Sequence, residues 1–385
     1  MNVLLVTPFR LRGAGVATMV TRLQASLRER GHRAHLLEPG DSDSVARLPG
    51  SRGDHHGIYL RSPHVEGATL KSFVAFWLYL PVSLFRLWWF LKRQHIDVVH
   101  LQFVTPLALY FALLRKVSGW KLVATFHGSD AYSLPRRGPL YRTLLAVTLA
   151  QVDVITTVSS DLLRAVTRVY PRVRDRSRSI LNGNPVVEPT LESGGSRPAL
   201  PKDYVLAVGS LITRKAYDVL VTATAVAGDA GHPFDVVIVG GGPEEASLAA
   251  LASRLGVRDR IHFAGEVSHA DIATLYRGAK FFVHPAREEA QGLVLLEAMS
   301  SGTAVIASRV NGIPEVIRDG ETGLLVEADN VRSFAAAMIR LEEDQQLRAA
   351  LAARGQAYVS AHHNWDRFVD RYLEVYRSVL GAPEQ

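Results

Sequence analysis

The chain has no cysteine among its 385 residues. That excludes disulfides, thiolate metal sites, iron–sulfur clusters and cysteine nucleophiles. Charge is sparse too, at 21% of residues against 48% hydrophobic ones, a balance that excludes a disordered or fibrous chain. The N-terminus reads MNVLLVTPF, with no leading positive charge and no small-residue cleavage site, so it reads as the first strand of a cytoplasmic protein. No uncharged apolar run reaches the ~20 residues of a spanning helix. The longest candidate, Phe73–Phe85, is 13 residues, contains Pro81 and is followed by Arg86. A GxGxxG fingerprint with its downstream acid is missing, which argues against a nicotinamide-dependent dehydrogenase. A basic helix with interleaved aromatics is missing as well, which argues against a nucleic-acid-binding protein. The relevant loops hold no metal-ligand cluster and no DxD-type motif, so no metal is expected.

What the chain does have is length for two ordinary domains and an uneven distribution of charge. Its net charge is +7. Residues 1–190 carry 25 Lys and Arg against 12 Asp and Glu, or +13, and residues 191–385 carry 19 against 25, or −6. The first half should therefore meet something anionic. Within it, residues 72–93 combine Trp77, Tyr79, Trp88 and Trp89 with Arg86, Lys92 and Arg93. Two readings of this segment carry equal weight: a helix packed on a sheet, and an interfacial surface of the kind found at membranes.

Short apolar runs alternate with longer helical patterns from end to end. NVLLVTP, IDVVHLQF, KLVATFHG and VDVITTVS in the first half read as strands without period-two alternation. YVLAVGS, FDVVIVGGG, RIHFAGEV, AKFFVHPA and TAVIAS repeat the pattern in the second. Burial on both strand faces, with helices between, predicts parallel sheets and an α/β class. The expected division is an N-terminal domain over 1–187, a Pro/Gly/Ser-rich linker over 188–203, a C-terminal domain over 204–362 and a closing helix over 363–385. Phe368, Tyr372 and Tyr376 form a packing stripe on that last helix. Two doubly wound domains facing across a cleft would place the active site among loops after the strands.

The stretch HPAREEAQGLVLLEAM is a strand-to-helix junction with a helix start near Gly292. Free N–H groups at Gly292, Leu293 and Val294 could hold a phosphate, which a glycine lets approach closely. Glu289 and Glu297 flank that start; on spacing alone they read as ordinary carboxylates at a helix N-terminus. Likewise Gly240, Gly241 and Gly242 read equally as nucleotide-binding backbone and as a tight turn. His100 at a strand end reads as structural, and LEEDQQLR as a solvated helix face.

Taken together, Glu289-x7-Glu297, GLVLLEAMSSGTAVIAS, NGIPEVI, GAGVATMV, DVVHLQ, FHGSD, VGSLITRKAYDVLV, IVGGGPE and IRDGETGLLVEADN resemble the retaining glycosyltransferases of family 4. These motifs occur in the family's order from residue 5 to about residue 375. The resemblance implies a GT-B fold of two Rossmann-like domains. It also implies an enzyme moving a hexosyl-type sugar from a nucleotide-diphosphate donor to an acceptor hydroxyl, with retained configuration and no cofactor or metal. It assigns Lys215 to the diphosphate, Glu289 to the transferred sugar, Glu297 to the ribose and His127 to the donor sugar from the N-terminal domain. Gly13 and Gly15 fall on the loop over the diphosphate, Gly241 on the glycine turn, and Glu266 and Val267 on the loop holding the base. Front-face attack, assisted by the departing phosphate, is the implied mechanism.

The chain departs from the family pattern at three positions. Ser210 stands where arginine is usual, with Arg214 a candidate to replace its charge. Ala216 stands for the glycine after the lysine, and Gln291 for the aromatic before Gly292. The base and sugar of the donor stay open. The acceptor expectation is a lipid-linked or membrane-proximal glycan of bacterial envelope or polysaccharide synthesis, met at the membrane's inner face. A soluble small-molecule acceptor, or an epimerase- or phosphorylase-like use of the fold, is the alternative.

Overall fold

A computed structural model of the chain describes residues 1–8, 15–39, 54–60, 70–184, 200–267 and 269–381. The chain divides into two compact units, Met1–Leu181 with Asp366–Gln385, and Asn182–Trp365. Most of the expected linker, and Gly13, lie outside the described residues.

Unit 1 contains β1 (Asn2–Val6), β2 (Arg33–Pro39), β3 (His55–Ile58), β4 (Val98–Gln102), β5 (Lys121–Phe126), β6 (Val154–Thr157) and β7 (Ser177–Ser179). Its helices are α1 (Val16–Glu29), α2 (Leu70–Arg93), α3 (Leu109–Arg115), α4 (Ser129–Tyr132), α5 (Pro139–Ala150) and α6 (Ser160–Val169). Unit 2 contains β8 (Val205–Val208), β9 (Val236–Val239), β10 (Ile261–Gly265), β11 (Phe281–His284), β12 (Val305–Ser308) and β13 (Leu324–Val326). Its helices are α7 (Tyr217–Asp229), α8 (Glu245–Arg254), α9 (His269–Gly278), α10 (Leu293–Ser300), α11 (Val331–Glu343) and α12 (Gln345–His362). The closing helix α13 (Trp365–Leu380) returns to unit 1.

Each unit is built on one parallel sheet. The orders are β3-β2-β1-β4-β5-β6-β7 and β10-β9-β8-β11-β12-β13. In both, the strand order reverses beside the first strand, between β1 and β4 and between β8 and β11. Ligands bind in doubly wound sheets at the carboxyl ends flanking such a point.

The strand sequences lack alternation because both faces are covered. In unit 2, Val205, Ala207, Val236, Ile238, Phe281 and Val283 pack with α7, α8 and α11. Their neighbours Leu206, Val208, Val237, Val239 and Phe282 pack on the opposite face with α9 and α10. Burying each Val, Leu, Ile or Phe side chain among these contributes roughly 1.5–3 kcal/mol. Helix starts are held locally where the sequence supplies a cap: the Ser159, Asn330 and Asp344 side chains accept from Leu162, Ser333 and Leu347 N–H.

Helix α2 spans the aromatic segment 72–93 and begins two residues before it. It runs 24 residues through Pro81, and its stretch Val74–Arg93 is long and apolar enough to cross a membrane by length and composition. Arg86 does not break the run because it lies at the edge of an otherwise apolar outer face.

Candidate functional site

In unit 2, the loops after β8 and β11 converge at the reversal point. The β8 loop ends in Arg214 and Lys215, followed by Ala216 in the left-handed conformation, φ 54°. A glycine would take that conformation without the steric penalty an L side chain pays. The β11 loop carries Arg287, Glu289, Gln291 and Gly292 into α10. Lys215 Nζ donates to Glu289 Oε2 at 2.5 Å, and His284 Nε2, at the end of β11, meets the same oxygen at 3.0 Å. Burial pushes the Glu289 carboxyl up, but the Lys215 ammonium and the His284 hydrogen bond outweigh it and hold the group well below the usual carboxylate range. The His284 imidazole is lowered by burial and then by the charge of Lys215, so it stays neutral at physiological pH.

Arg287 binds the two loops together. Its guanidinium donates to both oxygens of Asp218 at 2.7 and 3.0 Å and to the Thr213 carbonyl at 2.9 Å, and its backbone N–H donates to Arg214 O. Sequence reasoning passed over Arg287 and His284, although both sit within five residues of Glu289. The NGIP turn braces the other side, where Gly312 N–H donates to Glu289 O.

Gly292 forms the N-cap of α10 at φ 87°, without a side-chain cap. A Cβ there would lie 2.8 Å from Leu295 Cδ1 and 3.4 Å from Glu289 Cγ. Only glycine therefore fits, and the first-turn N–H groups are left for a ligand beside Glu289. Leu293 and Val294 are half-buried against the core. One and a half turns on, Glu297 Oε2 accepts from the Tyr276 hydroxyl at 3.0 Å. Tyr217, also beside Glu289, is buried with no partner for its hydroxyl, as is Nδ1 of His284.

The glycine turn after β9 packs backbone to backbone on the β8 loop. A Cβ on Gly240 would sit 2.2 Å from Gly209 O, while one on Gly241 would be 4.0 Å from Glu266 Cγ. The structure thus draws Gly241 and Glu266 together, with Val267 half-buried beside them. Arg214 lies close enough for its charge to lower His284. Gln291 takes no part in this centre. Its amide is turned onto Asn182, accepting from the backbone N–H at 2.9 Å and donating to the carbonyl at 3.3 Å.

In unit 1, Gly15 caps α1 at φ 81°. His127 follows β5 in a buried polar network. Its Nε2 donates to Gln102 Oε1 at 2.8 Å, and the Gln102 amide lies 3.2 Å from both ring nitrogens of His100. His100 in turn meets the Tyr376 hydroxyl of α13 at 2.7 Å and Thr125 Oγ1 at 2.6 Å. The aromatic stripe on α13 is thus a packing face whose hydroxyls also hold the strand ends. Burial pushes His127 down to about 3, and burial with the neighbouring His127 does the same to His100. Both rings are neutral, so with Nε2 donating, the His127 Nδ1 is a buried acceptor without a partner. Asp130 accepts from the Val104, His127 and Gly128 N–H groups and fixes the turn. Burial raises its carboxyl to about 6 against those bonds.

A narrow crevice of about 20 Å³ lies at the carboxyl ends of β1, β2, β3 and β4. Leu37, Ile58, Leu101, Phe103 and Phe111 line it with Thr7, Glu38 and Thr105, and the described lining contains no Lys or Arg.

Comparison with known proteins gives consistent matches. Residues 193–358 match the family profile described as glycosyl transferases group 1, and residues 13–186 match Glycosyltransferase Family 4. The chain is 26% identical to N-acetyl-alpha-D-glucosaminyl L-malate synthase of Bacillus anthracis, over 96% of this chain and 94% of that protein. It is 30% identical to the GDP-mannose-dependent monoacylated alpha-(1-6)-phosphatidylinositol monomannoside mannosyltransferase of Corynebacterium glutamicum, over 75% of this chain and 78% of that protein. Its fold is that of sucrose-phosphate synthase from Thermosynechococcus elongatus, with a TM-score of 0.79, 22% identity and full coverage of both chains.

Proposed function

This chain belongs to the glycosyl transferases group 1, in glycosyltransferase family 4, and from that membership we propose that it transfers a sugar from a nucleotide-diphosphate donor with retention of configuration. The observation that carries the reading is the Lys215–Glu289–His284 cluster beside the uncapped start of α10. Lys215, Arg214 and the N–H groups of Gly292, Leu293 and Val294 neutralise the diphosphate and the charge that develops as it leaves. Glu289 orients the hydroxyls of the transferred sugar, and Glu297 accepts from the ribose. Gly241, Glu266 and Val267 present backbone to the base, and Gly15, with Gly13, presents backbone to the diphosphate. In unit 1, the unpartnered Nδ1 of His127 accepts from a hydroxyl of the transferred sugar.

The bond from the anomeric carbon to the phosphate oxygen breaks as the acceptor oxygen bonds to the same face. The acceptor's proton passes to the departing phosphate. No separate carboxylate nucleophile is used, and positive charge from the protein takes the place of a metal. With water as the acceptor, NMR of the first sugar released, before it mutarotates, reads the stereochemistry. Retention and undiminished turnover in EDTA are expected; inversion would overturn the mechanism, and loss of turnover restored by a divalent cation would overturn metal independence.

For the acceptor we propose a lipid-linked or membrane-proximal glycan, as in bacterial envelope synthesis, with the enzyme peripheral to the membrane's inner face. The +13 balance of residues 1–190 supports contact with anionic lipid. A soluble acceptor is the second reading, favoured by the relative named as a malate synthase. Transfer to a total lipid extract, against transfer to malate, separates the two.

A further inference from the structure

Helix α2 has two faces. Phe76, Leu80, Ser83, Leu87 and Leu91 are buried at spacings of three and four residues, and the Phe76 ring meets Tyr110 of α3 at 5.9 Å. This stripe fastens the helix to unit 1. The opposite face is apolar and open to solvent: Val74, Trp77, Leu78, Tyr79, Val82, Phe85 and Trp89 are each at least 48% exposed. Leu78 and Phe85, farthest from the packed stripe, reach 72% and 63%. A run of adjoining apolar side chains of this size on a monomer marks an interaction surface.

We infer that α2 docks flat on an anionic lipid bilayer, with its outer face in the headgroup region and its inner stripe left on unit 1. The inference deepens the acceptor reading above and rests on it for why the enzyme should meet lipid at all. Charge selects the occupant. The 24 residues of α2 include no Asp or Glu, while Arg86, Lys92 and Arg93 stand exposed toward its C-terminal end. Lys92 lies over the Trp88 ring and Arg93 over the Trp89 ring, each at 5.0 Å, so cation and aromatic are paired at one level, as at a bilayer interface. Lipid phosphates supply the countercharge that a second copy of the same acid-free face would not. Geometry selects the depth: crossing the bilayer would strip Phe76, Leu80, Leu87 and Leu91 from the unit 1 core, whereas lying in the interface buries the outer face and leaves the inner one packed.

The test is co-sedimentation of the full chain with vesicles of phosphatidylcholine alone, or mixed with phosphatidylglycerol. Anionic vesicles should bind the wild type, and salt should weaken the binding. Leu78→Glu with Phe85→Glu should lower the partition coefficient at least tenfold, as should Arg86→Gln with Lys92→Gln and Arg93→Gln. Tryptophan emission should be quenched by bromines near the headgroups more than by bromines at the bilayer centre. Three results would overturn the inference: a wild type that ignores anionic vesicles, equal quenching at the bilayer centre, or a wild-type dimer that Leu78→Glu with Phe85→Glu makes monomeric without changing vesicle binding. Release of nucleoside diphosphate from a nucleotide sugar, measured without vesicles, keeps the two readings apart. Release without vesicle binding sinks the docking alone, and vesicle binding without release sinks the transfer reading alone.

Discussion

Replacing Lys215 with alanine separates what the Lys215–Glu289 pair does for the fold from what it does for the reaction. Both side chains are 12% exposed, so the variant leaves a buried carboxylate whose remaining side-chain partner among the described residues is the neutral His284. Breaking a buried pair in this way costs about 3 kcal/mol, which corresponds to a fall of roughly 6–12 °C in the melting of a unit of this size. Glu289 should titrate higher once its cation is gone, because burial already pushes it up. The double variant Lys215→Met with Glu289→Gln removes both charges and should recover most of the lost stability. Activity should not follow. Loss of one charge-assisted contact to the diphosphate weakens binding by about 10- to 100-fold, and loss of the fixed positive charge lowers turnover by about 100- to 1,000-fold. Scanning calorimetry, titration with nucleoside diphosphate and initial rates measure the three quantities. If the double variant regained turnover along with stability, Lys215 would be a structural residue and the assigned chemistry would be wrong.

Gln102 should set the proton position on His127: Gln102→Leu should lower kcat with little change in KM, and Gln102→Glu should raise the His127 pKa from about 3 and add an acid limb to the rate profile. An unchanged profile in Gln102→Glu would refute the coupling. Unit 1 should lose stability in mild acid. His100 and His127 are depressed to about 3, so between pH 7.5 and 5.5 the unfolded chain takes up about one proton more at each, a loss of about 1.4 kcal/mol apiece. Asp130, raised to about 6, gains protons in the folded state over the same range and offsets about 0.8 kcal/mol, leaving a net loss of about 2 kcal/mol. Urea unfolding followed by tryptophan fluorescence reads this, since four of the five tryptophans lie in unit 1; a flat response would contradict the buried neutral rings. Ala216→Gly should raise the melting point of unit 2 by relieving a left-handed alanine, a gain of up to about 1 kcal/mol, and a destabilised variant would contradict that.

The sheets were legible because their central strands are apolar on both faces: NVLLV, VVIV and FFVH could be nothing else. Strands β2, β3 and β7 were not. RAHLLEP, HHGI and SRS carry His, Arg and Ser, and only pairing with a neighbour makes them strands. In the candidate site, Lys215, Glu289 and Gly292 were reached through the ordered motifs, since spacing alone left Glu289 an ordinary helix-flanking carboxylate. His284, Arg287, Tyr276 and Gln102 escaped notice because their role is to hold other side chains, and those contacts join residues up to 74 positions apart. Gln291, which stands where the family has an aromatic, closes its amide on Asn182, a contact 109 positions away that its neighbours in the sequence do not announce. Segment 72–93 was legible as a candidate helix; Pro81 and Arg86 interrupt its apolar run without interrupting the helix.

The central claim is that unit 2 holds the diphosphate of a nucleotide sugar between Lys215 and the start of α10, with Glu289 on the transferred sugar. The most direct measurement is the release of nucleoside diphosphate from a panel of nucleotide sugars by the wild type and by Glu289→Gln. Turnover of one donor by the wild type, cut at least 100-fold by the substitution while the nucleoside diphosphate still binds, is the predicted result. Turnover of no donor, or equal rates for the two proteins, would contradict the account.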